Sequence, residues 1–434
     1  MNQPHDHILR HRAHPVRKLA LAFAVLSVFL TGCDDGNSSS HDDEQVESAG
    51  RLALYDQDNT SIKVLDLDSE TILSEYTLPG ESPRLYASPN HRYAVIIQRS
   101  DDFVSFLDSG FYVEDHGDHL HEYAAPPSFL SYSLSGSRPT HYTTHGNISA
   151  IFFDGQDGIA SSVTLLSDET IGNDQVVSEL SLTNNMHGVA KLIDDQLFVT
   201  YRDPLITDTT LPAAVDRYSF SNGILSFEHR YSEACPRLHG SAANDAFITF
   251  GCSDGVLAID LTKPTDPAIK LSNPESLLED SRIGTLYSHH GTDEFVGVAG
   301  NQFFVIDLNS PSDPYQELSL PDGVSRITQG FTAHAETFYI LGDDGNLYLF
   351  NVGSGWSASE PVQVVDALTE DGIRPAIAVS RTEDAVFILN ISGQQIIVVN
   401  SNTGAVLRTI NLGFTASKLV WLGLVQSDEH NHDH

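Results

Sequence analysis

Ala246-Phe247-Ile248-Thr249-Phe250-Gly251-Cys252-Ser253-Asp254-Gly255-Val256-Leu257-Ala258-Ile259-Asp260 reads as two short apolar strands around a polar turn, the second ending in a hydrophobic-Asp pair. The same grammar recurs along the chain. Tyr93-Ala94-Val95-Ile96-Ile97, Ala150-Ile151-Phe152-Phe153-Asp154, Phe198-Val199-Thr200-Tyr201, Phe295-Val296-Gly297-Val298, Phe338-Tyr339-Ile340-Leu341 and Ala385-Val386-Phe387-Ile388-Leu389 take the place of the first of these strands. Ile62-Lys63-Val64-Leu65-Asp66 and Phe303-Phe304-Val305-Ile306-Asp307 take the place of the second. Adding a short strand before each pair and another after it makes a four-stranded unit of roughly forty to fifty residues. That period predicts an all-β chain folded as a single β-propeller.

The first strands are expected to begin near Arg84, His141, His187, His239, Thr285, Phe331 and Ala376. One further apolar strand, Lys418 to Leu422, has nothing after it. The strands at Leu52–Tyr55, Ile62–Leu67 and Ile72–Leu78 have no first strand before them. Joined in one blade, these four would close the ring and hide two sheet edges. The count is about eight four-stranded blades, or seven if one blade has been read as two. Little helix is expected.

The chain has 434 residues, with 23 Lys plus Arg against 59 Asp plus Glu, a formal net charge of −36. Nucleic acid is an unsuitable partner for such a chain, because phosphate contacts need a basic face. Residues 1–32 read as a lipoprotein signal peptide. Arg10, Arg12, Arg17 and Lys18 precede an apolar run from Leu19 to Leu30, and Leu30-Thr31-Gly32-Cys33 resembles a bacterial lipobox. Cys33 would carry the lipid, anchoring the protein to a membrane without spanning it. The expected location is the periplasm, with the lipid as the one membrane contact. Residues 33–50 are polar and acidic and read as a disordered tether. The propeller is expected over residues 51–424. Residues 425–434 form an acidic tail bearing His430, His432 and His434. Cys235 and Cys252 remain after Cys33; in an exported protein such a pair suggests a disulfide, with thiolate metal ligation as the alternative.

Metal chemistry is the strongest functional signal. Asp115-His116-Gly117-Asp118-His119-Leu120-His121-Glu122 packs three imidazoles and three carboxylates into eight residues. Imidazole is a common zinc ligand and is neutral at neutral pH. The first strand of a propeller blade lines the central channel, and three successive units carry a histidine there: His141, His187 and His239, spaced by 46 and 52 residues. Histidines one blade period apart can meet at one mouth of the channel. The loop holding His116, His119 and His121 interrupts a blade between its third and fourth strands and is expected to fold over a mouth and donate a ligand. Asp118 and His145 are weaker candidates, His145 because it could share a site with His141.

Several of these segments together, namely the His-rich loop, Arg138-Pro139-Thr140-His141, Phe152-Phe153-Asp154-Gly155, His187-Gly188-Val189-Ala190, Cys235-Pro236-Arg237-Leu238-His239-Gly240 and Phe250-Gly251-Cys252-Ser253-Asp254-Gly255-Val256, resemble the AztD family of periplasmic zinc metallochaperones. The likeness runs through most of the body and is strongest from Asp108 to Leu257. It implies a β-propeller that binds zinc and passes it to the solute-binding protein of a zinc ABC importer. It makes the loop histidines, His141, His187 and His239 the zinc contacts, and it implies a disulfide between Cys235 and Cys252 on adjacent strands of one blade. The lipobox departs from a freely diffusing carrier.

Two other readings compete with a non-enzymatic carrier. A zinc-dependent hydrolase would use three ligands and leave one position for water, but no general base stands out. Trp356 and Trp421 are too few for a quinoprotein's recurring Trp motifs, and no glycine-rich phosphate loop or nucleophile elbow occurs. A lipid-anchored propeller acting as an interaction module would not account for the alignment of the histidines.

Overall fold

The computed structural model describes residues 46–115, 120–368 and 374–425. Cys33, His116, Asp118, His119 and the histidines of the C-terminal tail therefore lie outside the described residues, as does most of the expected tether.

Eight antiparallel sheets follow one another around a ring, each ordered channel strand, second, third, outer. The first blade is Arg84–Ala87, Tyr93–Gln98, Phe103–Asp108 and Ser128–Ser135. The channel strands of the next six are Pro139–His145, Ala190–Ile193, His239–Ala243, Thr285–Tyr287, Arg326–Phe331 and Ile377–Val379. The eighth blade takes its channel strand, Ala416–Leu422, from the C-terminal side and its other strands, Arg51–Asp56, Ser61–Asp66 and Thr71–Thr77, from the N-terminal side. The expected closure is thus present, with Leu52 opposite Trp421 and Arg51 opposite Leu422.

The burial pattern explains why the second and third strands read as unbroken apolar runs. Every residue of Tyr93–Gln98 and of Arg51–Asp56 is buried. A blade is covered by a neighbour on each face, so both faces of its middle strands need apolar side chains. The outer strand meets water and alternates; Thr71–Thr77 is largely exposed. The buried apolar residues form one cluster between each pair of neighbouring blades. Tyr93, Phe106, Ile151 and Phe153 join the first to the second, and Leu52, Phe387, Val398 and Trp421 join the seventh to the closing blade.

Two expectations are corrected. Phe331 ends the channel strand Arg326–Phe331 rather than beginning one, because the apolar residues Ile327 and Phe331 bracket a polar stretch that obscures the strand's start. The outer strand of that sixth blade is also broken into Ser357–Ala358 and Val362–Gln363, both paired with Asn346–Asn351. The one α-helix among the described residues is the single turn Asp168–Gly172, opened by Ser167 in a capping box with Thr170.

All channel strands run in the same sense, so the propeller has two distinct mouths. At the first lie the starts of the channel strands and the connections between second and third strands. At the other lie the ends of the channel strands and the connections between third and fourth.

Candidate metal centre

His141, His187 and His239 meet at the first mouth. The Nε2 atoms of His141 and His187 are 3.3 Å apart and those of His187 and His239 are 3.2 Å apart. Ligand nitrogens of all three lie within 4.8 Å of one another, and this is the one such group of three among the described residues.

Local backbone irregularities aim the rings. The channel strands of the second and fourth blades each carry a register shift beside the histidine, between Pro139 and His141 and between His239 and Ser241. These bulges leave Thr140 and Gly240 unopposed and turn the strand toward the axis. Gly240 has φ +73°, and a Cβ there would come within 2.7 Å of the Gly284 carbonyl oxygen. Only glycine lets that carbonyl come close enough to serve His239. His187 sits three residues ahead of Ala190–Ile193 rather than on it, and its N–H donates to the Thr210 carbonyl at 2.9 Å.

The far nitrogens of two rings are committed. His239 Nδ1–H donates to the Gly284 carbonyl at 2.7 Å, and His187 Nδ1–H donates to Asp154 Oδ2 at 2.8 Å. Burial pushes the Asp154 carboxyl up, but hydrogen bonds from His187 and Arg99 outweigh it and hold the group below the ordinary carboxylate range. Asp154 is therefore an acceptor, and His187 must carry its proton on Nδ1. Both Nε2 atoms then present lone pairs to each other at 3.2 Å. Two facing lone pairs repel unless a cation lies between them. A tetrahedral Zn²⁺ with Zn–N bonds of about 2.0–2.1 Å sets its ligand nitrogens about 3.3–3.4 Å apart, which both measured separations match. The Asp154–His187 pair is the carboxylate–histidine arrangement that orients metal-ligating imidazoles.

His141 and His239 are also kept neutral. Burial, with help from His187, His239 and Arg84, pushes the His141 imidazole down to about 3. Burial lowers His239 as well, with His187 and Arg282 adding to it. Neutral imidazole is the metal-binding form.

Asp154 and Gly284 are the functional residues that sequence reasoning missed. Asp154 stood in plain view at the end of a second strand. Pairing it with a histidine 33 residues away requires knowing which blades adjoin. Nothing in the sequence marks the Gly284 carbonyl.

Of the remaining predicted metal ligands, His121 and His145 are described, and neither joins the triad. The loop between third and fourth strands of the first blade leaves from the opposite mouth, and its flanks pair as a hairpin, Phe111–Asp115 with Leu120–Ala124. Arg51 clips that hairpin by donating to the Ser109 and Ala125 carbonyls, with its guanidinium over Phe111. Arg92 lies over Tyr112, which stacks on Tyr123. Among the loop histidines, His121 is described, and it belongs to this hairpin. The hairpin thus springs from the side of the blade opposite the triad, and His116 and His119 at its tip lie outside the described residues. His145 ends the strand that His141 nearly begins. Four residues of strand separate them by about 13 Å, so the two cannot share an ion. His289 lies at that opposite mouth too, with Nε2 donating to the Ala333 carbonyl and Nδ1 accepting from Gly291 N–H, which leaves neither nitrogen for a metal.

Cys235 and Cys252 form a disulfide, with Cα atoms 4.8 Å apart. Cys235 lies in the segment leading to the channel strand rather than on a strand, and Cys252 ends the second strand. The bridge closes the loop that carries Arg237 and His239.

No family model matches the chain. It is 26% identical over 399 residues to the zinc chaperone AztD of Citrobacter koseri, covering 90% of this chain and 91% of that one. The crystal structure of Citrobacter koseri AztD superposes with a TM-score of 0.71 at 24% identity, over 87% of this chain and 99% of that one. A dihydro-heme d1 dehydrogenase, NirN, shares the fold alone, with a TM-score of 0.58 at 11% identity over 86% of this chain and 76% of that one. The relative that matches in both sequence and structure is named for a chaperone and not for an enzyme. The resemblance read from the sequence motifs is supported on both counts.

Proposed function

We propose that this chain, a member of the AztD family, is a zinc metallochaperone that carries Zn²⁺ on His141, His187 and His239. The observation that carries the reading is the facing Nε2 pair of His187 and His239, whose opposite nitrogens are both tied to acceptors. Three imidazoles leave a tetrahedral ion one position short. An incoming ligand can take that position before any histidine lets go, so transfer proceeds by stepwise exchange without releasing the free ion. The open mouth suits this use, since a fully enclosed four-ligand site holds zinc structurally.

The recipient in this reading is the solute-binding protein of a zinc importer, and the setting is the periplasm. The lipobox at Cys33 supports a tethered carrier, whose tether would join the propeller through residue 46. The His-rich hairpin and the acidic tail would gather ions in the vicinity.

Chelator-stripped protein titrated with zinc by isothermal calorimetry should bind at the triad, and a zinc-edge anomalous map should place the ion among the three Nε2 atoms. His187→Ala and His239→Ala should each remove that site. A titration in which both variants keep the wild-type stoichiometry sinks the assignment.

A further inference from the structure

We propose that the central channel holds a small inorganic anion of halide size, seated on Lys191 between the third and fourth blades. The inference stands apart from the zinc reading.

Lys191 is on the channel strand Ala190–Ile193. Side chains on a strand alternate between its two faces. Ala190 and Leu192 pack into the cluster between the second and third blades, and Ile193 packs into the one between the third and fourth. Lys191 therefore points toward the fourth blade. On that blade Ala242 packs toward the fifth and Ala243 toward the third, so Ser241 faces the same gap as Lys191. The Ser241 hydroxyl is buried and has no hydrogen-bond partner. Lys191 keeps some contact with the channel but is otherwise enclosed, and among the described residues no carboxylate pairs with it. Burial pushes its ammonium down to about 8, and no charged neighbour contributes. Carboxylates are plentiful on the connections at both mouths, but the eight channel strands carry none; their Lys and Arg residues are Arg84, Lys191, Arg326 and Lys418.

An ammonium that is still mostly charged at neutral pH and has no acceptor is costly inside a protein. A small anion entering by the channel removes that cost. It receives a charge-assisted hydrogen bond from Lys191 and a second hydrogen bond from the Ser241 hydroxyl. Each channel strand is also the inner edge of its sheet, and an edge offers unpaired backbone N–H groups. Two side-chain donors beside apolar Ile193 and Ala243 suit a halide better than phosphate, whose several oxygens would each need a partner. An anion bound by the folded ring and not by the unfolded chain also stabilises the fold.

The test uses the full chain, stripped of metal. Chloride NMR line broadening, at constant ionic strength with gluconate as the balancing anion, should report binding in the wild type that bromide competes away. A bromine-edge anomalous map from bromide-soaked crystals should show a peak between Lys191 Nζ and Ser241 Oγ. Lys191→Met should weaken chloride binding about tenfold and Ser241→Ala about threefold. The wild-type melting point should rise as chloride replaces gluconate, and that of Lys191→Met should not. Equal line broadening in wild type and Lys191→Met overturns the proposal. So does a map with bromide at surface positions only, a result that depends on neither variant folding.

Discussion

Asp154→Asn changes one atom in a buried carboxylate, and its effect on zinc follows from the proton of His187. In the wild type a charged acceptor 2.8 Å from Nδ1 holds that proton and points the Nε2 lone pair at the triad. An asparagine oxygen at the same place accepts a weaker, uncharged hydrogen bond. It also shares that oxygen with Arg99, whose partner at 2.9 Å loses its charge. The amide nitrogen, if turned toward His187, would favour the tautomer with its proton on Nε2 and block the site. Loss of such a supporting carboxylate weakens metal binding about 10–100-fold, or about 1.4–2.7 kcal/mol. The measurement is a competition titration against a fluorescent zinc chelator at pH 7, with a thermal melt to confirm folding. The same substitution is then made in a His187→Ala background, where it should have little further effect, because the two residues act as one unit. Wild-type affinity in Asp154→Asn, or an equal loss with and without His187, would refute the reasoning.

Three further outcomes are expected. The disulfide closes a loop across 17 residues of sequence separation, so Cys235→Ala/Cys252→Ala should cost about 3 kcal/mol in urea unfolding and also loosen His239; an unchanged midpoint would show that the blade needs no tie. His289 is pushed down to about 3, by burial first and then by His290 and Arg381. Its stabilising contribution is complete above its unfolded value near 6.5 and is lost as pH falls from there toward 3, about 2 kcal/mol of it by pH 5. His289→Gln should flatten that part of the stability–pH curve, and an unaltered curve would count against it. Replacing residues 111–124 by a short turn should leave triad zinc affinity within about 0.5 kcal/mol, because the hairpin sits at the other mouth; a larger loss in the same chelator competition would restore the lid.

How much of the site was legible can be seen from its members. His141, His187 and His239 were visible because a blade period is a sequence period, and equivalent positions converge on the axis. The hairpin was visible as a metal-rich insertion between third and fourth strands, but which mouth it leaves from follows from the direction of the strands in the ring. Asp154 was quoted as part of a motif without a role. Its role depends on the gap between the second and third blades, where the distance in sequence carries no information.

The sequence by itself determined the blade repeat, the closure of the ring by its two ends, and the alignment of three histidines, since each follows from apolar periodicity and the need to hide sheet edges. Tertiary structure decided which face each histidine serves and which nitrogen carries the proton of His187 and of His239. Those depend on bulges at Thr140 and Gly240, on a carbonyl brought close by the absence of a Cβ, and on contacts between neighbouring blades. Hydrogen-bond geometry and electrostatics act over a few ångströms through space, and residues that close in space here stand 33 to 52 apart along the chain.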